Sequence, residues 1–117
     1  MRLKGLNCIV TGGSSGIGAA TVKRFVEEGA HVLIADIDID TANSFAEEIG
    51  SSVDAIKCDV RIESDVKAVS DHAYKTWGKV DVLVNNAGSE LNQTYDKTTL
   101  EEWDRVLDTD LKGPWLM

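Results

Sequence analysis

A glycine-rich segment near the start of the chain limits its possible folds more than any other feature. The segment spans residues 11–18, reads TGGSSGIG, follows an apolar run at residues 6–10 and precedes an amphipathic run at residues 17–28. This order predicts a buried strand, a tight turn and a helix. The unpaired N–H groups and the dipole at a helix start attract anions. The segment therefore predicts either a phosphate site or an ordinary strand-to-helix turn.

The three spaced glycines of this segment have different expected roles. Gly12 makes the turn, Gly16 admits a phosphate close to the backbone, and Gly18 lets the helix pack tightly against the strand. The spacing is G-x-x-x-G-x-G, which differs from the G-x-G-x-x-G of many dinucleotide-binding domains. The glycines alone do not decide between the two interpretations.

Length and charge exclude several classes of protein. A chain of 117 residues forms at most one domain. The net charge of −8 and the scattered basic residues argue against a nucleic-acid surface, which needs clustered Lys and Arg. No apolar run has the length of a membrane-spanning helix, and the first residues do not form a secretory signal. We therefore expect a cytoplasmic protein that binds neither membranes nor nucleic acids.

The two cysteines also fit a cytoplasmic protein. Cys8 and Cys58 lie in unrelated apolar contexts, without a Cys-x-x-Cys motif or a pair of histidines nearby. We expect two buried free thiols in a reducing compartment, with a disulfide as the alternative, and no metal site.

Strand-like and helix-like segments alternate along the chain. Such alternation predicts a parallel sheet that is doubly wound, with helices on both faces. Charged residues in the third strand place that strand nearer an edge, and Gly113-Pro114 is expected to stop or kink the last helix. Helical spacing places Ile17 on the apolar face of the first helix. Asp40 or Thr41 is expected to cap the second helix, with Asp38 as a solvated turn acid, and residues 98–102 offer a capping box for the last helix. The expected strands are residues 6–10, 31–35, 53–60 and 79–84, and the expected helices are residues 17–28, 40–49, 63–77 and 99–111.

Polar residues follow the carboxyl ends of these strands. Asp36 ends the second strand, where a dinucleotide fold accepts hydrogen bonds from the adenosine ribose, although a solvated turn acid is the alternative. Asp59 ends the third strand and is either an acceptor for an adenine amino group or a turn residue. Residues 85–88, Asn-Asn-Ala-Gly, follow the fourth strand. Parallel sheets bind ligands at this edge, so the separate signals support one another.

In this order and spacing, the motifs resemble the N-terminal, cofactor-binding half of the short-chain dehydrogenase/reductase family. The resemblance covers essentially the whole chain. It implies that residues 1–117 form the N-terminal part of a single Rossmann-type domain, truncated after the fourth strand and the following helix. The residues that it implies for cofactor binding are Gly12, Ser14, Ser15, Gly16, Ile17, Gly18, Asp36, Ile37, Asp59, Val60, Asn86, Ala87 and Gly88.

Local charge predicts which nicotinamide cofactor is preferred. The additional 2′-phosphate of NADP(H) requires a cation, but Ser14, Ser15 and Ile37 provide none. Asp36 adds a negative charge that repels the phosphate. We therefore expect NAD to be preferred over NADP.

Two departures from the family pattern concern catalysis. Asp110 stands where the family carries an Asn that supports a proton relay, and the carboxylate lacks the amide donor; alternatively, Asp110 caps or kinks the helix. The family's catalytic serine and Tyr-x-x-x-Lys motif are not found in these residues: Tyr74 and Tyr95 have no lysine four positions later. We expect the complete protein to continue past Met117 through these elements.

The resemblance implies an NAD-dependent oxidoreductase that moves a hydride between the nicotinamide and a small alcohol or carbonyl substrate. The complete protein is expected to be a homo-oligomer, and the 117 residues alone are expected to be inactive. The alternatives are a non-catalytic nucleotide-binding module and an inactive truncation product. An epimerase of the extended branch does not fit the glycine spacing, and a methyltransferase does not explain residues 85–88.

Overall fold

A computed structural model describes residues 1–117 as alternating strands and helices. A 3₁₀ turn spans Tyr95–Lys97, and a π turn spans Asp108–Lys112. The strands are β1 (Asn7–Thr11), β2 (His31–Asp36), β3 (Val53–Lys57) and β4 (Val82–Val84), and the helices are α1 (Gly16–Glu27), α2 (Ile39–Ile49), α3 (Glu63–Trp77), α4 (Leu100–Leu107) and α5 (Gly113–Leu116).

The four strands form one parallel sheet in the order β3-β2-β1-β4. The chain builds outward from β1 to β2 and β3, and then returns to the other side of β1 to form β4. This reversal opens a crevice at the carboxyl ends of β1 and β4, where sheets of this kind bind ligands. The predicted doubly wound sheet is confirmed, and β3 lies at an edge as its charged residues indicated.

Hydrophobic clusters cover both faces of the sheet, because successive strand side chains point to opposite sides. Cys8 and Val10 pack with Val22 of α1 on one face, whereas Ile9 packs with Val69 of α3 on the other. Both cysteines are free and buried, as expected. Burial raises the pKa of each thiol to about 11, so both thiols are protonated at neutral pH.

Several element boundaries differ from the sequence prediction. Helix α2 is capped by Asp38, whose carboxylate accepts hydrogen bonds from the backbone N–H and the hydroxyl of Thr41 at 3.2 and 2.7 Å. The prediction of a cap at Asp40 or Thr41 was therefore wrong, as was the interpretation of Asp38 as a solvated turn acid. Strand β3 ends at Lys57, and β4 is only three residues long.

The last helical segment begins at a capping box and continues through Pro114. Thr99 and Glu102 form the predicted capping box at the start of α4. Pro114 does not end the segment, because it lies in the first turn of α5, after the π turn, where a missing N–H is tolerated. Gly113 lets this turn approach the segment that follows β3: a Cβ at Gly113 would lie 2.7 Å from Val60 Cγ2.

Several apolar side chains remain exposed, among them Ile17 and a group on the last helical segment. Ile17 is 80% exposed, so it does not belong to the buried face of α1 on which its spacing had placed it. Trp103, Leu107 and Leu111 are exposed along the segment from α4 to the π turn. No helix has the length and apolar character needed to cross a membrane.

Candidate cofactor site

The turn between β1 and α1 depends on two glycines in the left-handed region. The φ angles of Gly12 and Gly16 are +63° and +53°, which L side chains rarely adopt. A Cβ at Gly12 would lie 3.1 Å from the Cα of Ala87, whereas a Cβ at Gly16 would meet nothing within 4 Å. At Gly12 the turn is therefore packed against residues 85–88, which follow β4 and are called the β4 loop below. At Gly16 the turn is open.

Gly18 has the closest neighbours among the glycines of this turn. A Cβ there would lie 2.6 Å from the Asn86 side-chain nitrogen and still closer to the carbonyl oxygen of Gly12. Gly18 thus lets the first turn of α1 lie directly against the turn that follows β1.

Asn86 and Thr11 join the carboxyl ends of β4 and β1. The Asn86 amide donates hydrogen bonds to the carbonyl oxygens of Thr11 and Gly12, both at 3.1 Å. The Thr11 hydroxyl accepts hydrogen bonds from the backbone N–H groups of Asn86 and Ala87, both at 3.0 Å. Thr11 is buried, and its role was missed because its partners lie more than seventy residues away in the sequence.

Asp36 presents a buried carboxylate at the end of β2. One oxygen accepts hydrogen bonds from the backbone N–H and the hydroxyl of Ser14, at 3.2 and 2.6 Å. The other oxygen accepts a hydrogen bond from the backbone N–H of Asp38 at 3.0 Å. Because Asp36 is only 8% exposed and is held on both sides, its position in the cleft is fixed.

Asp59 forms a bidentate ion pair with Arg61 just beyond the end of β3. Arg61 Nε lies 2.9 Å from Asp59 Oδ1, and Arg61 Nη2 lies 2.6 Å from Asp59 Oδ2. The backbone N–H of Arg61 also donates to Asp59 Oδ1, at 3.0 Å. These hydrogen bonds hold the pKa of the Asp59 carboxyl below its usual value. Sequence reasoning missed Arg61, although it lies two positions after an acid that was singled out.

Asp110 lies in the π turn and faces the loop after β4. The backbone N–H of Ser89 donates a hydrogen bond to Asp110 Oδ1 at 2.7 Å. Gly88 is close to the same carboxylate, since a Cβ at Gly88 would lie 3.6 Å from Asp110 Oδ1. Asp110 thus supports the loop rather than capping its own helix.

These residues surround a cleft of about 650 Å³ at the carboxyl edge of the sheet. Its volume lies within the range of small-molecule and cofactor sites. Four of the candidate residues, Ser14, Gly16, Ile17 and Gly18, do not line it, and Ser14 contributes by holding Asp36. The candidate residues that line the cleft are Gly12, Ser15, Asp36, Ile37, Asp59, Val60, Asn86, Ala87, Gly88 and Asp110.

Neither tyrosine lines this cleft. Tyr95 is 93% exposed in the 3₁₀ turn, and Tyr74 is 55% exposed on α3. The cleft walls formed by these 117 residues contain aspartates, a glutamate and arginines as their ionisable groups, apart from the buried thiol of Cys58. They provide no tyrosine for proton transfer.

Comparisons with known proteins give one family. The family model for short chain dehydrogenases matches residues 7–117. Momilactone A synthase of Oryza sativa subsp. japonica is 42% identical, with 98% of this chain and 43% of that protein aligned. Galactitol 2-dehydrogenase of Agrobacterium fabrum is 39% identical, with 100% of this chain and 46% of that protein aligned. The chain therefore spans less than half the length of these relatives.

A solved structure shows the same arrangement. The 3-ketoacyl-(acyl-carrier-protein) reductase of Brucella melitensis, determined in complex with NADH, superposes with a TM-score of 0.93 at 37% identity. The match covers 98% of this chain and 48% of the reductase chain. With the parallel sheet, the glycine turn and the matching family model together, the chain belongs to the short-chain dehydrogenase family.

Proposed function

We propose that the protein binds NAD(H) in this cleft and transfers a hydride between the nicotinamide and a small alcohol or carbonyl compound. Residues 1–117 then form the N-terminal part of its dinucleotide-binding domain. Family membership supports an oxidoreductase, and the similar Brucella reductase binds NADH. The observation that carries the choice of cofactor is the buried Asp36 carboxylate at the end of β2.

The glycine turn fits a pyrophosphate. Helix α1 begins after Ser15, which makes no side-chain capping bond, and no acidic residue lies in its first turn. Its N-terminal N–H groups are therefore free to bind an anion. The space beside Gly16 leaves room for a phosphate next to the backbone, and Ile17 offers an exposed apolar side chain at the same helix start.

The neighbouring strands supply the other subsites in the order in which they lie in the sheet. Asp36 accepts hydrogen bonds from the adenosine ribose, next to Ile37, and Asp59 and Val60 border the base one strand further out. On the other side of β1, Asn86, Ala87 and Gly88 border the nicotinamide ribose. The bound cofactor supplies the hydride acceptor or donor, and this chain holds and orients it.

Asp36 is also the basis for the preference for NAD(H). Two unit charges about 4 Å apart repel by about 1 kcal/mol in water and by about 4 kcal/mol near a protein surface. A 2′-phosphate would meet the Asp36 carboxylate, whose nearest side-chain partner is the uncharged Ser14. We therefore propose that NADH binds at least about tenfold more tightly than NADPH.

A nucleotide-binding module without chemistry is the second candidate for these residues. The observation that favours it is the position of Tyr74 and Tyr95 outside the cleft. We propose that residues 1–117 by themselves bind NADH and do not turn over alcohols. Turnover by a verified 117-residue product would overturn this.

Two further properties of the complete protein are proposed. The exposed apolar side chains of α4 and the π turn support a homo-oligomer. The two buried free thiols support a cytoplasmic location.

The test exchanges the charge at the ribose subsite. The double variant D36A/I37R should lose NADH affinity and gain NADPH affinity, because the arginine can pair with the 2′-phosphate. The matched control is D40A, which removes an exposed acid in the first turn of α2 and should leave both affinities unchanged. If wild-type protein binds NADH and NADPH equally, or binds neither, the proposal fails.

A further inference from the structure

Strand β3 lies at one edge of the sheet, and only its inner side pairs with another strand, β2. Just past the end of β3, the Cys58 N–H points inward and donates to the carbonyl oxygen of Asp36 in β2 at 3.0 Å. The backbone groups of successive strand residues point in opposite directions, so Val53, Ala55 and Lys57 direct their N–H groups to the outer side. Unpaired groups along such an edge are a template for a further strand.

Short-range hydrogen bonds occupy two of the three outward N–H groups. The Val53 N–H donates to the Gly50 carbonyl oxygen at 3.1 Å, and the Ala55 N–H donates to Asp54 Oδ1 at 2.8 Å. Lys57, at the end of the strand, carries an exposed ammonium group, and a charged side chain of this kind discourages strand addition. A further strand would therefore have to take the central donor, the Ala55 N–H, from Asp54.

Helix α3 holds the Asp54 carboxylate beside this donor. The second oxygen, Asp54 Oδ2, lies 3.1 Å from His72 Nε2. An ionised carboxylate only accepts hydrogen bonds, so Nε2 carries the proton in this contact. The side chains of Asp54 and His72 are 63% and 37% exposed, and an exposed contact of this kind adds little to stability. Its main consequence is the position that it gives to Asp54 at the outer side of β3.

We propose that Asp54, positioned by His72, prevents a second copy of this chain from adding its own β3 to the sheet. Two copies related by a twofold axis would pair their β3 strands antiparallel, with Ala55 opposite Ala55. Both Asp54 carboxylates would then occupy the central N–H donors, and their like charges would lie close together. The inference goes beyond the proposed function and does not rest on it, because neither Asp54 nor His72 lines the cofactor cleft.

The experiment measures whether full-length variants assemble beyond the wild-type oligomer. D54A frees the Ala55 N–H and removes the charge, so larger species should form at a protein concentration at least about fivefold lower than for the wild type. Light scattering and sedimentation velocity give the mass at each concentration, and circular dichroism shows that each variant is folded. Hydrogen exchange locates the new contact, because the Ala55 amide should exchange more slowly in the larger D54A species than in the dissociated protein.

Three further variants separate the hydrogen bond from the charge. D54N removes the charge but keeps an oxygen that can accept from the Ala55 N–H, so it should behave much more like the wild type than like D54A. D71A makes the same change in net charge on the exposed side of α3, where Asp71 pairs with Lys67, and should match the wild type. H72A keeps Asp54 but removes its contact with α3, so it should fall between the wild type and D54A.

The results decide the role of Asp54 in each case. If D54A and D71A form larger species at the same concentration, or if the Ala55 amide is not protected in the D54A species, the proposal is overturned. Assembly of D54N as readily as D54A would also overturn it, since the hydrogen bond to Ala55 would then have no effect. If D54A does not fold, H72A decides, and assembly of H72A no different from the wild type rejects the proposal.

Discussion

The two halves of the cleft are held in place by different kinds of interaction. At the crevice between β1 and β4, left-handed glycines and neutral hydrogen bonds between Thr11 and Asn86 fix the backbone. At the ends of β2 and β3, which we call the acidic edge, two carboxylates are held by Ser14 and Arg61. At Gly12 and Gly18 the crevice has no room for an added side-chain atom, whereas the acidic edge is built from side chains and can change its ligand by substitution.

The largest expected effect lies in the crevice. Gly18→Ala would place a Cβ 2.6 Å from the Asn86 side-chain nitrogen, where neither α1 nor the β4 loop can move independently. We expect a loss of about 3 kcal/mol in the free energy of unfolding, as for severe overpacking, together with loss of NADH binding. Chemical denaturation and fluorescence titration measure both.

Gly16→Ala is the matched control for Gly18→Ala. It meets no atom within 4 Å but strains a backbone at φ +53°. Its unfolding cost should be about 1 kcal/mol, with NADH affinity reduced because the methyl group occupies the phosphate side. Equal unfolding costs for the two variants would contradict the difference in packing.

A smaller loss is expected when the link between β1 and β4 is removed. Thr11→Val keeps the shape but deletes the hydroxyl that accepts hydrogen bonds from the N–H groups of Asn86 and Ala87. Two donors then lose their partner, so the free energy of unfolding should fall by about 2 kcal/mol. Thr21→Val, which removes one bond on the surface of α1, is the control and should cost much less. Similar losses of unfolding free energy for both variants would contradict a larger contribution from the buried link between β1 and the β4 loop.

The Asp59–Arg61 ion pair of the acidic edge should respond to pH, unlike the crevice. Hydrogen bonds from Arg61 lower the pKa of Asp59 in the folded protein. The stabilisation is therefore fully present above the unfolded pKa, near 4, and is lost as the pH falls through the lower folded pKa. The difference in unfolding free energy between wild type and D59N should be about 1 kcal/mol at pH 7 and should shrink below about pH 4.

The Thr11→Val cost provides the reference for this titration. That bond involves no ionisable group, so its contribution should stay constant over the same pH range. If the stability difference between wild type and D59N does not change with pH, the charged pair of Asp59 and Arg61 is not the source of that difference.

The smallest effect is expected at Asp110. Asp110→Asn keeps a side-chain oxygen that can accept the hydrogen bond from Ser89, so stability should change by no more than about 0.5 kcal/mol. Asp110→Ala removes that acceptor and should cost more than the Asn variant. If Asn and Ala variants lose the same amount, the carboxylate does not hold the loop after β4.

Local patterns were enough to predict the sheet and the glycine turn. Buried parallel strands are almost continuously apolar, and amphipathic helices show their own period, so the alternation of the two was visible in the sequence. The edge position of β3 followed from Asp54 and Lys57, and the capping box from Thr99 and Glu102. Each of these signals lies within a few neighbouring residues.

Features that depend on distant contacts were not predicted. Thr11 is defined by its bonds to Asn86 and Ala87, which only the pairing of β1 with β4 brings near. Pro114 was expected to stop or kink the last helix, but the π turn before it shifts the hydrogen-bonding pattern so that the helix continues. Asp59 was considered without Arg61, so the ion pair between them was not anticipated.

The most direct measurement is a crystal structure of the full-length protein with NADH. The account predicts the pyrophosphate against the backbone of the turn from Gly12 to Gly18, and the adenosine ribose hydroxyls within hydrogen-bonding distance of Asp36. It also predicts the adenine beside Asp59 and Val60. A dinucleotide bound away from Asp36, or no dinucleotide in the cleft at saturating NADH, would contradict the account.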